Sequence, residues 1–161
     1  MKFDSYDEND LKRLKNMLKS TLDKNTIIVC IGTNREIADS LAPFVGMMLE
    51  ENNCKYKVYG TIDNPVHALN LEKIKKEIEL KHKDSLILAI DAGLDNQSNS
   101  VGKIVLEYKP IKPGIGVKKE LPSVGNISIM GIVGNKEELY SGDIRLDIII
   151  HMAKAIAYSI L

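Results

Sequence analysis

The chain has 161 residues, 44% of them hydrophobic, which is enough for one domain with a sizeable core and excludes wholesale disorder. Twenty-two Lys and Arg balance twenty-two Asp and Glu, so the basic excess of a dedicated nucleic-acid or anionic-membrane binder is absent. With no Trp and 5% aromatic residues, a base-stacking platform is not expected either.

Residues 7–22 place Leu11, Leu14, Leu18 and Leu22 at helical spacing among charged neighbours, so an amphipathic helix is expected there. The start, MKFDSYDEND, is too polar and acidic for a signal peptide, and no apolar run reaches the ~20 residues of a membrane span. Thr26–Ile31 is a short β-branched apolar run, the pattern of a strand buried on both faces. A polar connection, Gly32–Ser40, leads into a helix over Leu41–Glu51. Lys55–Tyr59 reads as a second strand, followed by a turn at Gly60–Pro65 and a helical stretch to about His82.

Ser85–Ile90 is the third strand, with Asp91 at its tip. Val101–Tyr108 reads as a fourth strand, then Pro110, Pro113, Gly114 and Gly116 make a loop. Ile127–Val133 is a fifth strand, and Ser141–Leu161 a closing helix. Alternation of this kind predicts a single α/β domain, a three-layer sandwich around a mainly parallel sheet. Its N-terminal helix occupies 1–24 and its core 25–161; strands Thr26–Ile31 and Ser85–Ile90 should be adjacent and parallel. Cys30 and Cys54 sit in or beside apolar segments without metal-ligand spacing, as reduced cysteines of a cytoplasmic protein do.

Ligands of open α/β sheets bind beyond the carboxyl ends of the strands. Three polar segments leave such ends: Gly32–Ser40, Gly60–His67 and Asp91–Ser100. Asp39 and Asp91 are the informative pair. Each could serve as a cap for the turn or helix that follows it. If both face one cleft, one keeps its proton near neutrality, and the pair can activate water and donate to a carbonyl oxygen. Asp91 is the expected acceptor of the water's proton. The same carboxylates could hold a divalent ion, but with no third soft or imidazole ligand in view neither a metal nor another cofactor is expected. Among the histidines, His82 in KHKD reads as a solvated residue, His151 in IIIHMAKA as a core or groove residue, and His67 in NPVHALNL as a cleft residue.

Four segments in register, CIGTNREIADSLAPFVG, YGTIDNPVHALNLE, ILAIDAGL and VGKIVLEYKPIKPGIGVKKELPSVGNISIMGIV, resemble the YyaC-like sporulation proteins. These are similar to the germination protease of endospores and, more distantly, to hydrogenase maturation proteases. The resemblance implies a phosphorylase/hydrolase-like fold and a spore endopeptidase, working in the cytoplasm of a sporulating cell or spore on a small protein or peptide substrate. It implies Asp39 and Asp91 as the catalytic pair, with Asn34, Asp63 and His67 shaping the cleft. Nucleic acid and membrane are not expected as partners, and self-association is left open. Where the family pattern reads G-T-D-R-x-x-G-D-S-L-G-P, this chain has Asn34 for an aspartate and Ala38 and Ala42 for glycines. Asn34 loses a charge, and an alanine would be strained wherever φ must be positive. The other readings of the same residues are a catalytically silent binding or scaffolding protein and a metal-dependent protease.

Overall fold

The computed structural model describes residues 1–97, 99–114 and 120–161; Gly116 of the expected loop and Ser98 of the segment after the third strand lie outside them. The chain opens with a strand that its composition does not announce, β1 (Lys2–Asp4), in which only Phe3 is buried. Helix α1 (Glu8–Thr21) follows. The Asp7 carboxylate caps it by accepting from the backbone N–H groups of Asn9 and Asp10, and Leu14 and Leu18 turn inward.

Strand β2 (Ile27–Cys30) is buried along its whole length and ends before a short 3-10 turn, Ile37–Asp39, that leads into α2 (Leu41–Glu51). Strand β3 (Lys57–Tyr59) and helix α3 (Leu71–Lys81) come next, then β4 (Ile87–Leu94), β5 (Lys103–Glu107) and β6 (Ile127–Gly134). The expected last helix, Ser141–Leu161, starts later than its pattern suggested and is preceded by a short helix that was not expected. Gly142, with φ 76°, closes α4 (Lys136–Ser141) in the left-handed conformation, and α5 (Leu146–Ile160) starts afresh.

The six strands form one sheet in the order β1-β5-β6-β4-β2-β3. The pairs β3–β2, β2–β4 and β4–β6 are parallel, so the expected neighbours Thr26–Ile31 and Ser85–Ile90 do lie side by side in parallel. The sheet as a whole is mixed: β5 runs antiparallel to β6, and β1 antiparallel to β5. The physical reason lies in residues 95–102. A parallel crossover needs a dozen or more residues, and this connection is too short to make one. Residues 1–24, expected to carry only a helix, thus also supply the edge strand.

Alternation along the strands sorts the core into two clusters. Ile28, Cys30, Leu88 and Ile90 join the inner faces of α1, α2 and α5. Ile27, Val29 and Ala89 pack instead with Val66, with Leu71 and Ile78 of α3, and with Ile111 and Val124. Cys30 and Cys54 are free thiols, and burial pushes the Cys30 thiol well up. His82 is half-buried rather than solvated, with its Nε2 3.0 Å from the Tyr59 hydroxyl. His151 stacks on Tyr6 and its Nε2 reaches the Ser5 carbonyl at 2.9 Å. Among the described residues, no helix is long and apolar enough to cross a membrane.

Candidate active site

Strands β2 and β4 part company where the site begins. Cys30 pairs with Ile90, and the Ile31 N–H still donates to the Ile90 carbonyl at 2.8 Å. Then β2 turns away: the Gly32 N–H donates to the Val66 carbonyl at 2.8 Å, towards the segment that follows β3. Strand β4 continues to Leu94 against β6 alone, with Asp91 in register with Met130. Asp91 therefore lies inside β4, not at its tip as the apolar run suggested. It occupies the place where its neighbour on the β2 side has gone.

The Asp91 side chain follows Ile90 and alternates to the other face. Only 3% of the residue is exposed. One carboxyl oxygen accepts the Ala92 N–H at 2.8 Å. Burial, reinforced by the nearby Asp39 charge, holds the Asp91 carboxyl well above the usual carboxylate range, and the Ala92 hydrogen bond opposes this only in part.

Asp39 reaches the same place from β2. It closes the 3-10 turn, and its carbonyl accepts the Thr33 N–H at 2.9 Å, folding the loop back on itself. Its carboxylate is not spent on a helix cap. Ser40 takes the cap position of α2 and makes no side-chain cap bond, its hydroxyl donating to the Ile37 carbonyl at 2.7 Å. Burial and then the Glu36 charge push the Asp39 carboxyl up to about 7, with no hydrogen bond among the described residues to offset them.

Both carboxyls line one cavity of about 460 Å³, together with His67, Arg35, Leu69 and Tyr140 among others. The turn that carries His67 is wound tightly. Its N–H donates to the Asn70 side-chain oxygen at 2.8 Å, and its Nδ1 accepts the Leu69 N–H at 3.2 Å. With Nδ1 as acceptor, the neutral ring carries its proton on Nε2 and can act as a donor.

The other two expected cleft residues stand apart from this cavity. The Asn34 amide donates to the Ile62 carbonyl at 2.8 Å and so ties the loop after β2 to the loop after β3. Asp63 is exposed and lines a neighbouring depression that shares His67 with the cavity. Neither Ala38 nor Ala42 has a positive φ, and both are buried, so the chain adopts this loop with methyl groups at those positions. Among the described residues, no group of three or more His, Cys, Asp or Glu side chains is placed to hold a metal ion.

Sequence reasoning passed over Gly32, Arg35, Glu36, Leu69 and Tyr140. No local pattern marks them. The one available signal was their position in or after segments leaving strand ends, and it was applied only to aspartates and histidines.

Residues 2–159 match the family described as a protein of unknown function, DUF1256. The chain is 39% identical over 148 residues to the uncharacterized protein YyaC of Bacillus subtilis (strain 168), an alignment covering 89% of this chain and 72% of that relative. No solved structure gives a significant match.

Proposed function

Since the chain belongs to the DUF1256 family, whose description assigns no activity, we propose on chemical grounds that it is a peptidase that hydrolyses amide bonds of a protein or peptide with the Asp39–Asp91 pair. We read the two core clusters as the two helical flanks of a three-layer, phosphorylase/hydrolase-like fold. The observation that carries the proposal is the convergence of two carboxyls, both raised by burial and one raised further by the other, in one cavity at the point where β2 and β4 separate. A purely structural carboxylate would be expected to spend its charge on caps or cations, and Asp39 does neither.

The burial difference favours an assignment of roles opposite to the one expected from sequence. Asp39 ionises first, near pH 7, while the more deeply buried Asp91 keeps its proton. The Asp39 carboxylate takes a proton from a water as the water oxygen attacks the amide carbon. Asp91 gives its proton to the carbonyl oxygen as that oxygen gains charge. Asp39 then passes its proton to the amide nitrogen, the C–N bond breaks, and Asp91 recovers its proton as the carbonyl re-forms. Both carboxyls end as they began. His67 Nε2–H supplies a further donor at the cavity wall.

The test is incubation of the purified chain with a mixed peptide library, read by mass spectrometry. Cleavage by the wild type, lost in both Asp39→Asn and Asp91→Asn, is the expected result. No cleavage of any peptide by folded wild type, or cleavage that survives in both variants, would overturn the proposal.

A further inference from the structure

The two most exposed large apolar side chains among the described residues are Leu69, at 93%, and Tyr140, at 85%; the next, Leu80, is at 74%. Scattered apolar residues on a surface are ordinary. These two are not scattered, because both line the cavity that holds Asp39 and Asp91.

The sheet order explains how they get there. Across β6-β4-β2-β3, four parallel strands present their carboxyl ends to one edge. Tyr140 follows β6 on α4, Asp91 lies in β4, Asp39 follows β2, and Leu69 follows β3. The outer two strands supply the large apolar side chains and the inner two the carboxyls. A chain laid across this edge would meet an apolar wall, the acid pair, then a second apolar wall. Leu121 and Leu139 line the same cavity and extend its apolar surface, and among the described residues Arg35 and Glu36 are its other charged lining residues.

We propose that the substrate is an extended polypeptide segment with a large aliphatic or aromatic side chain on each side of the bond held over Asp39 and Asp91, gripped by Leu69 on one flank and Tyr140 on the other. The proposal deepens the peptidase reading and rests on it for the placement of the peptide. Contact with such side chains would remove from water the two apolar groups that the free protein leaves wet, and it is this burial that selects the substrate. A volume of about 460 Å³ suits a few side chains of a segment and not a folded domain. Acidic or basic residues at those two positions would lose hydration against Leu69 and Tyr140, and are disfavoured for that reason.

The experiment uses end-blocked peptides of fixed flanks whose two central residues are Leu, Phe, Ala, Lys or Asp. Cleavage is measured with wild type, and binding by fluorescence anisotropy with Asp91→Asn. Peptides with Leu or Phe should exceed those with Ala, Lys or Asp by about tenfold or more in kcat/KM and in affinity. Leu69→Ser and Tyr140→Ser should each erode that preference, through KM more than kcat. Both side chains are solvent-exposed, so neither substitution removes core packing, and two independent variants guard against a local effect of either one. Cleavage without an apolar preference, or a preference untouched by both variants, overturns the inference and leaves the peptidase reading standing. Apolar-selective binding that both variants weaken, without any cleavage, supports the inference and overturns the peptidase reading. Absence of both selective binding and cleavage overturns the two together.

Discussion

Gly32 lies so close to Asp39 that a β-carbon added to it would stand 2.1 Å from the Asp39 carbonyl oxygen, and 2.9 Å from a ring carbon of Pro43. That carbonyl is the acceptor for the Thr33 N–H, so the approach of the two backbones is what holds the 3-10 turn against the end of β2. A side chain at position 32 would have to push the turn, and Asp39 with it, away from Asp91. Gly32→Ala is therefore expected to cost about 1–3 kcal/mol in stability. It should also lower kcat at least tenfold, with a smaller change in KM, since a small misplacement of a reacting group is enough. Urea denaturation and steady-state kinetics on one preparation check both, and a variant with unchanged kcat would show that the close approach does not position Asp39.

The raised Asp39 carboxyl makes stability depend on pH in a defined direction. Its ionisation moves from about 4 in the unfolded chain to about 7 in the folded one, so between those values the folded state holds a proton that the unfolded state has released. Its contribution to stability is complete below about pH 4 and is lost as pH rises to about 7. Asp39→Asn removes the charge that must be buried, and should stabilise the protein at pH 8 by about 2 kcal/mol, a value reduced from full linkage because the carboxyl is partly solvated. Chemical denaturation at pH 5 and pH 8 reads this, with the two proteins closest in stability at the lower pH. A variant less stable than wild type at pH 8 would contradict it.

Peptide cleavage should follow a bell-shaped pH profile. The acidic limb falls near 7, where Asp39 gains the charge that activates water, and the alkaline limb falls where Asp91 loses its proton. Both values belong to the pair. A flat profile of kcat/KM across pH 6–8 would show that Asp39 does not act as the base.

Phe3 is 1% exposed and lies in the larger core cluster, with the Arg13 guanidinium 5.5 Å above its ring. Phe3→Ala should cost about 3–5 kcal/mol in stability. Phe3 is not among the residues that line the cavity, so cleavage per folded molecule should change little. Thermal unfolding and kinetics measured together separate the two effects.

Much of the architecture was legible because burial on both faces leaves unbroken apolar runs. Thr26–Ile31, Ser85–Ile90 and Ile127–Val133 each became a strand of the sheet, and Leu41–Glu51 became α2 with the expected bounds. Phe3 alone could not announce β1, since a three-residue strand with one inward side chain has no period to read; its pairing with Lys103–Val105 makes it a strand. Strand β4 outran its apolar run because hydrogen bonds to β6 carry it on through Asp91 to Leu94, whatever the polarity of the side chain.

For the site, residue types and local spacing determined where acidic chemistry could arise: two aspartates at or near the carboxyl ends of buried strands. Local pattern says nothing of which way a strand runs, how far it is paired or what stands across from it, because those are set by contacts between residues distant in the chain. Tertiary structure alone decided that Asp39 leaves its helix uncapped, that Asp91 is the more deeply buried partner, and that Asn34 ties one loop to another. It also decided that Leu69 and Tyr140, 71 positions apart, stand wet in one cavity. Desolvation and charge proximity depend on that three-dimensional neighbourhood, and they raise the proton affinities of both aspartates.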